Sequence, residues 1–211
     1  MKTLGNVLVM GDSISTFRGH TPEGTRSYYG IPELNLDVNK VEQTWWWQLI
    51  EKTNSKLILN SSFSGATVCT TECNNWKMTG SAFVYRINTL IHEDFFKRNK
   101  IDSFFIFGGT NDSWYNSPVG QIKHQDISQE DLKYVLPAFS YLIDRVKKES
   151  PNTKIYLIIN TGLKEEIANG MKDIAEHFDQ VAIELKDIDK IAGHPSRKGM
   201  TQIAEQILER L

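Results

Sequence analysis

The sequence predicts an α/β protein built on a five-stranded parallel sheet, and three observations support this class. Short aliphatic and aromatic runs alternate with longer segments of helical spacing, as is typical of parallel α/β folds. The run at 155–159 is apolar without interruption, as expected of a strand covered on both faces. The segment 129–149 carries its apolar residues on one stripe, which predicts a long amphipathic helix.

The predicted elements alternate along the chain. Each short apolar run is interpreted as a strand, which gives strands at 6–10, 57–60, 103–108, 154–160 and 180–183. The segments with helical spacing predict helices near 44–53, 81–88, 129–149, 164–177 and 198–211. Ser150-Pro151-Asn152 ends the third helix, because such turn residues interrupt a helical pattern.

Two connections are unusually long, at 16–43 and 110–128. Long ordered loops in compact domains are commonly functional. Both loops leave the predicted sheet at its carboxyl edge, so we expect them to form the walls of a substrate site. No repeat, low-complexity tract or linker divides the chain, and we expect a single domain over residues 1–211.

The composition narrows the possible functions. The 211 residues carry a formal net charge of -2, which gives no electrostatic reason to expect a nucleic-acid partner. No apolar stretch approaches the length of a membrane span. The first strand begins almost directly after Met1, so no signal peptide is visible, and we expect a cytoplasmic protein unless an export signal has been removed. No phosphate loop, dinucleotide fingerprint or metal-ligand cluster occurs, and we expect neither cofactor nor metal.

Four polar clusters contain residue types that acyl transfer needs. Three follow predicted strands and one precedes the last helix: Gly11-Asp12-Ser13, Ser64-Gly65, Gly109-Thr110-Asn111-Asp112 and Gly193-His194-Pro195. The carboxyl ends of parallel strands face one crevice, where ligands bind in open α/β sheets. We therefore expect these clusters to meet in that crevice.

Within the clusters, Ser13 is the candidate nucleophile and His194 the candidate base, since a serine hydroxyl needs a base within hydrogen-bond reach. The backbone N–H groups of Ser13 and Gly65 and the side-chain amide of Asn111 are candidate donors to an oxyanion. Each cluster alone is equally typical of a turn or a helix cap. Their occurrence together favours a hydrolase.

In order and spacing the four clusters resemble the four blocks of the SGNH, or GDSL, hydrolases, and the resemblance spans nearly the whole chain. It implies a three-layer α/β/α, flavodoxin-like fold with strand order 2-1-3-4-5. It also implies that Ser13 is the nucleophile, His194 the base, and Ser13, Gly65 and Asn111 the oxyanion hole. Members of this family are mostly esterases that act on acetylated carbohydrates, lysophospholipids, thioesters or simple acyl esters.

One position departs from the family pattern. An aspartate usually lies three residues before the histidine and orients the imidazole, but this chain has Ile191 there. Asp189 is the preferred substitute and Asp187 the alternative. A backbone carbonyl that holds the ring, which would leave a Ser-His dyad, remains open.

Aromatic residues follow two of the clusters. Trp76 comes after the Gly65 cluster, and Trp114 and Tyr115 come after Asn111, so these three are candidate substrate-binding residues. Their rings suit a sugar or an acyl chain, and equally suit lids that pack on the protein's own surface.

We expect a metal-independent serine esterase that cleaves a small or carbohydrate ester through an acyl-serine intermediate. The alternative is a binding protein of the same fold in which loss of the aspartate has weakened catalysis.

Overall fold

The computed structural model describes residues 3–71 and 80–211, and at its centre lies a five-stranded parallel sheet. The strands are β1 (Asn6–Gly11), β2 (Lys56–Asn60), β3 (Ser103–Phe107), β4 (Lys154–Ile159) and β5 (Val181–Glu184). Their order is β2-β1-β3-β4-β5, and all four pairings are parallel. The predicted sheet and strand order are confirmed, and each strand lies within one residue of its predicted bounds.

Seven helices accompany the sheet in the described part of the chain. They are α1 (Trp45–Lys52), α2 (Phe83–His92), α3 (Phe95–Arg98), α4 (Thr110–Trp114), α5 (Val135–Glu149), α6 (Glu165–His177) and α7 (Arg197–Leu208). The short helices α3 and α4 were not predicted, because one turn of helix is too short to show a hydrophobic period. Helix α5 begins later than predicted because Tyr134 is extended and separates it from a 3₁₀ turn at Asp131–Lys133.

The strands bury alternate residues on opposite faces of the sheet, as the two-residue period of a strand requires. One face packs against α2, α5 and α6, and its strand residues include Leu8, Met10, Phe104, Ile106, Ile155 and Leu157. The other face packs against α1 and α7, and its strand residues include Val7, Val9, Phe105, Phe107, Tyr156 and Ile158. The architecture is therefore a three-layer α/β/α sandwich, as expected.

Strand register brings the carboxyl ends of the central strands to one level. Gly11 of β1 pairs with Phe107 of β3, and Phe107 pairs with Ile158 of β4. The chain after β2 returns to the same place, because the Phe63 N–H donates to the Gly11 carbonyl at 3.1 Å. The segments that follow β1, β2 and β3 therefore lie side by side at the carboxyl edge.

The segment that carries the fourth polar cluster, before α7, is a tight hairpin. Strands β6 (Lys190–Ile191) and β7 (His194–Pro195) pair antiparallel across Ala192 and Gly193. Both loop residues have positive φ, 49° and 81°, which is the requirement of the two-residue turn that suits a hairpin best. The sequence Ala-Gly lacks the Asn or Asp that usually indicates this turn, so the hairpin was missed.

The hairpin is fastened to the start of α7. The Asp189 carboxylate accepts the Ser196 hydroxyl, and the Asp189 carbonyl accepts the Ser196 N–H at 3.0 Å. Ser196 in turn caps α7, since its Oγ accepts the Gly199 N–H at 3.1 Å. The hairpin and the helix therefore share one hydrogen-bonded junction.

The long first loop covers the carboxyl edge on the α1 and α7 side. Phe17 and Tyr29 form an isolated bridge within it, and the Tyr29 hydroxyl donates to the Pro195 carbonyl at 2.7 Å. Tyr29 is fully buried, so both its ring and its hydroxyl anchor the loop. Across residues 3–71 and 80–211, none of the helices is both long and apolar enough to cross a bilayer.

Gly199→Ala should destabilise the protein, although Ala normally favours a helix by about 1 kcal/mol over Gly. A Cβ at this position would lie 2.1 Å from the Asp189 carbonyl oxygen, which is backbone and cannot rotate away. We expect the Tm to fall by roughly 3–10 °C in thermal unfolding followed by circular dichroism.

Gly170→Ala on α6 is the matched control. Its Cβ would meet the end of the Leu136 side chain at 2.4 Å, which can change rotamer. Its Tm should fall less than that of Gly199→Ala. An unchanged or higher Tm for Gly199→Ala would show that the hairpin yields freely.

Candidate active site

Ser13 lies in the first turn beyond β1, an internal strand between β2 and β3. Gly11 allows the chain to bend there, because a Cβ at Gly11 would lie 2.5 Å from the Ser15 Cβ. Asp12 caps the short 3₁₀ turn at Ser13–Ser15, and its Oδ1 accepts the Ile14 N–H at 3.0 Å. The strand end and the cap therefore fix the position of the Ser13 side chain.

The hairpin brings His194 to Ser13. The Ser13 Oγ lies 2.9 Å from the His194 Nε2, although the two residues are 181 positions apart. The other ring nitrogen, Nδ1, lies 3.4 Å from the Ala192 carbonyl oxygen, within hydrogen-bond range but at its long end. A proton on Nδ1 leaves Nε2 free to accept the hydroxyl proton of Ser13.

The two candidate aspartates do not reach His194. The Asp189 carboxylate accepts a hydrogen bond from the Ser196 hydroxyl. The backbone N–H of Asp189 donates to the Gln202 Oε1 at 2.8 Å. Asp187 lies upstream in a turn with φ of 52°. Among the described residues, the hydrogen-bond partners of the His194 ring are Ser13 and Ala192. The structure therefore contains the carbonyl arrangement rather than the preferred Asp189, because Ser196 engages that carboxylate.

The expected oxyanion donors belong to the segments after β1, β2 and β3, which lie side by side at the carboxyl edge. Gly65 has φ of 88°, a turn conformation that favours glycine. In the part of the chain that the structure describes, the backbone N–H groups of Ser13 and Gly65 have no acceptor. The Asn111 Nδ2 donates to the Ala66 carbonyl at 2.9 Å, which uses one of its two hydrogens and ties Asn111 to the Gly65 turn. The two backbone N–H groups and the second hydrogen of the Asn111 amide are therefore not bound by any described residue.

A buried carboxyl pair lies beneath the serine. Burial raises the pKa of Asp12 to about 7, and the charge of Asp112 adds to this effect. Burial also raises the pKa of Asp112, against the Val68 and Cys69 N–H groups that stabilise its carboxylate. The Asp12 carboxyl group is therefore partly protonated at neutral pH.

A half-buried cation accompanies this pair. The Arg86 guanidinium donates to the Gly11 carbonyl at 3.1 Å and to the Ser61 carbonyl, so it joins the ends of β1 and β2. Burial lowers the pKa of Arg86 to about 9, while the charge of Asp12 opposes the shift. Arg86 remains positive at neutral pH and offsets negative charge near Ser13.

The pKa of His194 is lowered from its ordinary value, first by burial and then by the positive charge of Lys190. The Ala192 carbonyl opposes the shift. A lowered pKa keeps the imidazole neutral at neutral pH, which is the state that a general base requires.

Aromatic side chains surround His194. The Tyr28 ring stacks on the imidazole with centroids 3.7 Å apart and planes 11° from parallel, and Trp114 meets it edge-on at 5.8 Å. Trp114 and Tyr115 are 50% and 44% exposed, so both can meet a ligand. Trp76 lies outside the described residues. Tyr28 was missed by the sequence analysis, because nothing in the long first loop distinguishes it from its aromatic neighbours.

The fold and the crevice together define a class of protein: an α/β/α hydrolase with a serine and a histidine at the carboxyl edge of its sheet. A model of the GDSL-like lipase/acylhydrolase family matches residues 5–211, and the chain belongs to this family. Membership supports an ester-hydrolase activity.

Solved structures agree with this assignment. A protein described as a GDSL-like lipase from Bacteroides ovatus ATCC 8483 is 41% identical, with a TM-score of 0.89, over 99% of this chain and 98% of its own. A second, from Bacteroides uniformis ATCC 8492, is 38% identical, with a TM-score of 0.89, over 98% and 95%.

A more distant neighbour shares the fold alone. A family two carbohydrate esterase from Clostridium thermocellum, in complex with cellohexaose, has a TM-score of 0.67 at 14% identity, over 100% of this chain and 64% of its own. No curated protein matches the chain.

Asp12→Asn should change how stability depends on pH. The folded-state pKa of about 7 lies above the ordinary value of 3.8, so the contribution of Asp12 is fully present below about pH 4 and is lost as pH rises through 7. Asn cannot ionise and keeps an oxygen for the Ile14 N–H. Relative to wild type, we expect the variant to gain stability between pH 5 and 8, measured as the free energy of unfolding in urea. A difference that stays constant over this range would contradict a raised pKa.

Asp189→Asn should leave the reaction itself nearly unchanged. The Asp189 carboxylate holds Ser196 rather than His194, so we expect a lower Tm and a kcat for ester hydrolysis within a few-fold of wild type. Loss of an orienting triad acid costs about 10⁴ in kcat, so the two cases are well separated. Asp187→Asn is the control, and a loss of that size at Asp189 alone would restore it as the orienting acid.

Proposed function

We propose that this protein is a serine ester hydrolase that works with a Ser13–His194 dyad. The observation that carries the proposal is the 2.9 Å contact between the Ser13 Oγ and the His194 Nε2, with the Nδ1 directed to the Ala192 carbonyl. This arrangement provides both a nucleophile and a base in the correct tautomer. We propose in addition that no metal takes part, because the chain itself supplies the groups that each step requires.

In the first half-reaction, His194 accepts the hydroxyl proton of Ser13 as the Oγ attacks the ester carbonyl. The carbonyl oxygen becomes negative and is stabilised by the Ser13 and Gly65 N–H groups and by the Asn111 amide. Removal of one such donor typically costs roughly 3 kcal/mol of barrier. The imidazolium then gives its proton to the leaving alcohol, and an acyl-Ser13 intermediate remains.

In the second half-reaction, water takes the place of the alcohol. His194 accepts a proton from water as the oxygen attacks the acyl carbonyl, and the same donors stabilise the second oxyanion. Collapse returns the proton to the Ser13 Oγ and releases the carboxylic acid. The lowered pKa of His194 supports this cycle, since the ring begins each half-reaction neutral.

We propose a small acyl ester carried on a carbohydrate, such as an acetylated sugar, as the substrate class. Trp114 meets the His194 ring and is half exposed, its sequence neighbour Tyr115 is exposed as well, and an aromatic face suits a sugar ring. The cellohexaose-bound carbohydrate esterase from Clostridium thermocellum has the same fold, which supports this choice only at the level of the scaffold. A simple acyl ester without a sugar could pack against the same two exposed aromatic side chains.

The second candidate is a binding protein of the same fold, favoured by the missing aspartate at Ile191. It predicts a crevice that binds esters without cleaving them. The assembled contact between Ser13 and His194 favours the hydrolase.

Ser13→Ala should abolish both ester turnover and labelling by a fluorophosphonate probe, because the variant has no nucleophilic oxygen at that position. Turnover is measured with p-nitrophenyl esters of increasing chain length and with acetylated sugars. Ser140→Ala on α5 is the matched control, since the Ser140 hydroxyl is buried without a partner in the described part of the chain.

The control should label and turn over like wild type. A Ser13→Ala protein that still labels would identify another nucleophile. A folded wild-type protein that binds these esters but neither labels nor turns them over would favour the binding protein.

A further inference from the structure

We propose that Tyr28 is the positioning residue for His194, and that its ring takes over the role of the missing aspartate by stabilising the imidazolium. This inference rests on the proposed Ser13–His194 dyad. It begins from the stack of the two rings, whose centroids lie 3.7 Å apart with planes 11° from parallel.

The geometry of the stack favours a charged ring. Two neutral aromatic rings prefer an offset or edge-to-face arrangement over a face-to-face one. A cation is attracted to the face of an aromatic ring, so the same arrangement becomes more favourable once His194 carries a proton. The imidazolium forms as Ser13 attacks, and an interaction that strengthens at that moment lowers the barrier.

The position of Tyr28 is set by the nucleophile's own backbone. The Tyr28 N–H donates to the Thr16 Oγ1 at 2.9 Å, and the Thr16 hydroxyl donates to the Ser13 carbonyl at 2.9 Å. Thr16 is fully buried, so this link is shielded from water. Tyr28 therefore keeps a fixed place relative to Ser13.

A second link joins Tyr28 to the hairpin that carries His194. The Tyr29 ring meets the Tyr28 ring edge-on at 4.9 Å, and the Tyr29 hydroxyl donates to the carbonyl of Pro195, the residue after His194. The stacking ring is thus tied to both partners of the dyad. A carboxylate would hold the imidazole through one nitrogen, whereas Tyr28 holds it by its face.

The Ala192 carbonyl also favours the imidazolium, through a hydrogen bond of 3.4 Å to one ring nitrogen. The other groups around His194 do not duplicate the effect of Tyr28. Lys190 is the charged neighbour on the hairpin, and its positive charge disfavours the imidazolium. Trp114 from α4 and Tyr29 from the long loop meet the ring edge-on, at 5.8 and 6.4 Å. Among the described residues, Tyr28 alone presents its ring face to the imidazole.

The test compares Tyr28→Leu with Tyr28→Phe in the full chain. Leucine fills much of the same space without a π face, whereas phenylalanine keeps the face and removes only the hydroxyl. Two readouts are needed: the pKa of His194 from an NMR titration of its imidazole signals, assigned with a His194→Gln variant, and the separate values of kcat and KM.

We expect Tyr28→Leu to lower the His194 pKa by about half a unit to one unit and kcat by about tenfold, with KM nearly unchanged. The acid limb of the rate against pH should move to lower pH by the same amount. Tyr28→Phe should keep the wild-type pKa and kcat. Tyr85→Leu, an exposed tyrosine of α2, is the control and should change neither.

An unchanged His194 pKa in Tyr28→Leu would overturn the inference, as would an effect confined to KM, which would make Tyr28 a substrate contact. If Tyr28→Leu does not fold, Tyr28→Met is measured in its place, because its flexible side chain adapts to the same space. The NMR titration needs no turnover. A shifted pKa in a protein that hydrolyses no ester would support the stack and refute the proposed function, and an active enzyme with an unshifted pKa would do the reverse.

Discussion

The hydrogen bond between Ser13 and His194 joins two ends of the molecule, and the rest of the crevice depends on how each end is held. Ser13 follows the internal strand β1, whose position is fixed by β2 on one side and β3 on the other. His194 lies on a hairpin whose two strands are each two residues long. So short a hairpin needs contacts with other elements to hold its position. The Asp189–Ser196 junction fastens this hairpin to α7, and the Tyr29–Pro195 bond fastens it to the long loop.

Burial of the Asp12 carboxyl group, next to Ser13, changes how much negative charge a developing oxyanion would have beside it. An ionised Asp12 would place a negative charge next to it in a dry environment, where such repulsion is strong. The raised pKa of Asp12 reduces that charge at neutral pH, and the Arg86 guanidinium offsets what remains. Arg86 also binds the carbonyls of Gly11 and Ser61, so their negative ends are engaged by a cation. With these negative groups neutralised or engaged, a developing oxyanion would interact chiefly with the backbone N–H donors.

The sequence was sufficient for the sheet and for the meeting of Ser13 and His194, and insufficient for what surrounds His194. Buried parallel strands are continuous apolar runs, so their number and bounds can be recognised directly. The polar clusters could be placed because strand ends share one edge. The role of Asp189 could not be predicted, because spacing does not reveal that Ser196 captures its carboxylate. The hairpin depends on Ala192 at positive φ, and Tyr28 lies 166 residues from the ring it stacks on, beyond the reach of any local pattern.

The surroundings of His194 impose two opposite demands on its pKa. Burial and Lys190 favour the neutral imidazole, which is the state that a base must have before it accepts a proton. The proposed reaction then requires the cation to form at the same half-buried position, where water stabilises it less than in free solution. The Ala192 carbonyl favours the cation, through a hydrogen bond that at 3.4 Å is at the long end of the usual range. An aromatic face needs no hydrogen-bond geometry and attracts the cation far more than the neutral ring. Such a partner leaves the resting base neutral and acts chiefly once the proton has arrived, which is the behaviour that a dyad without a carboxylate needs.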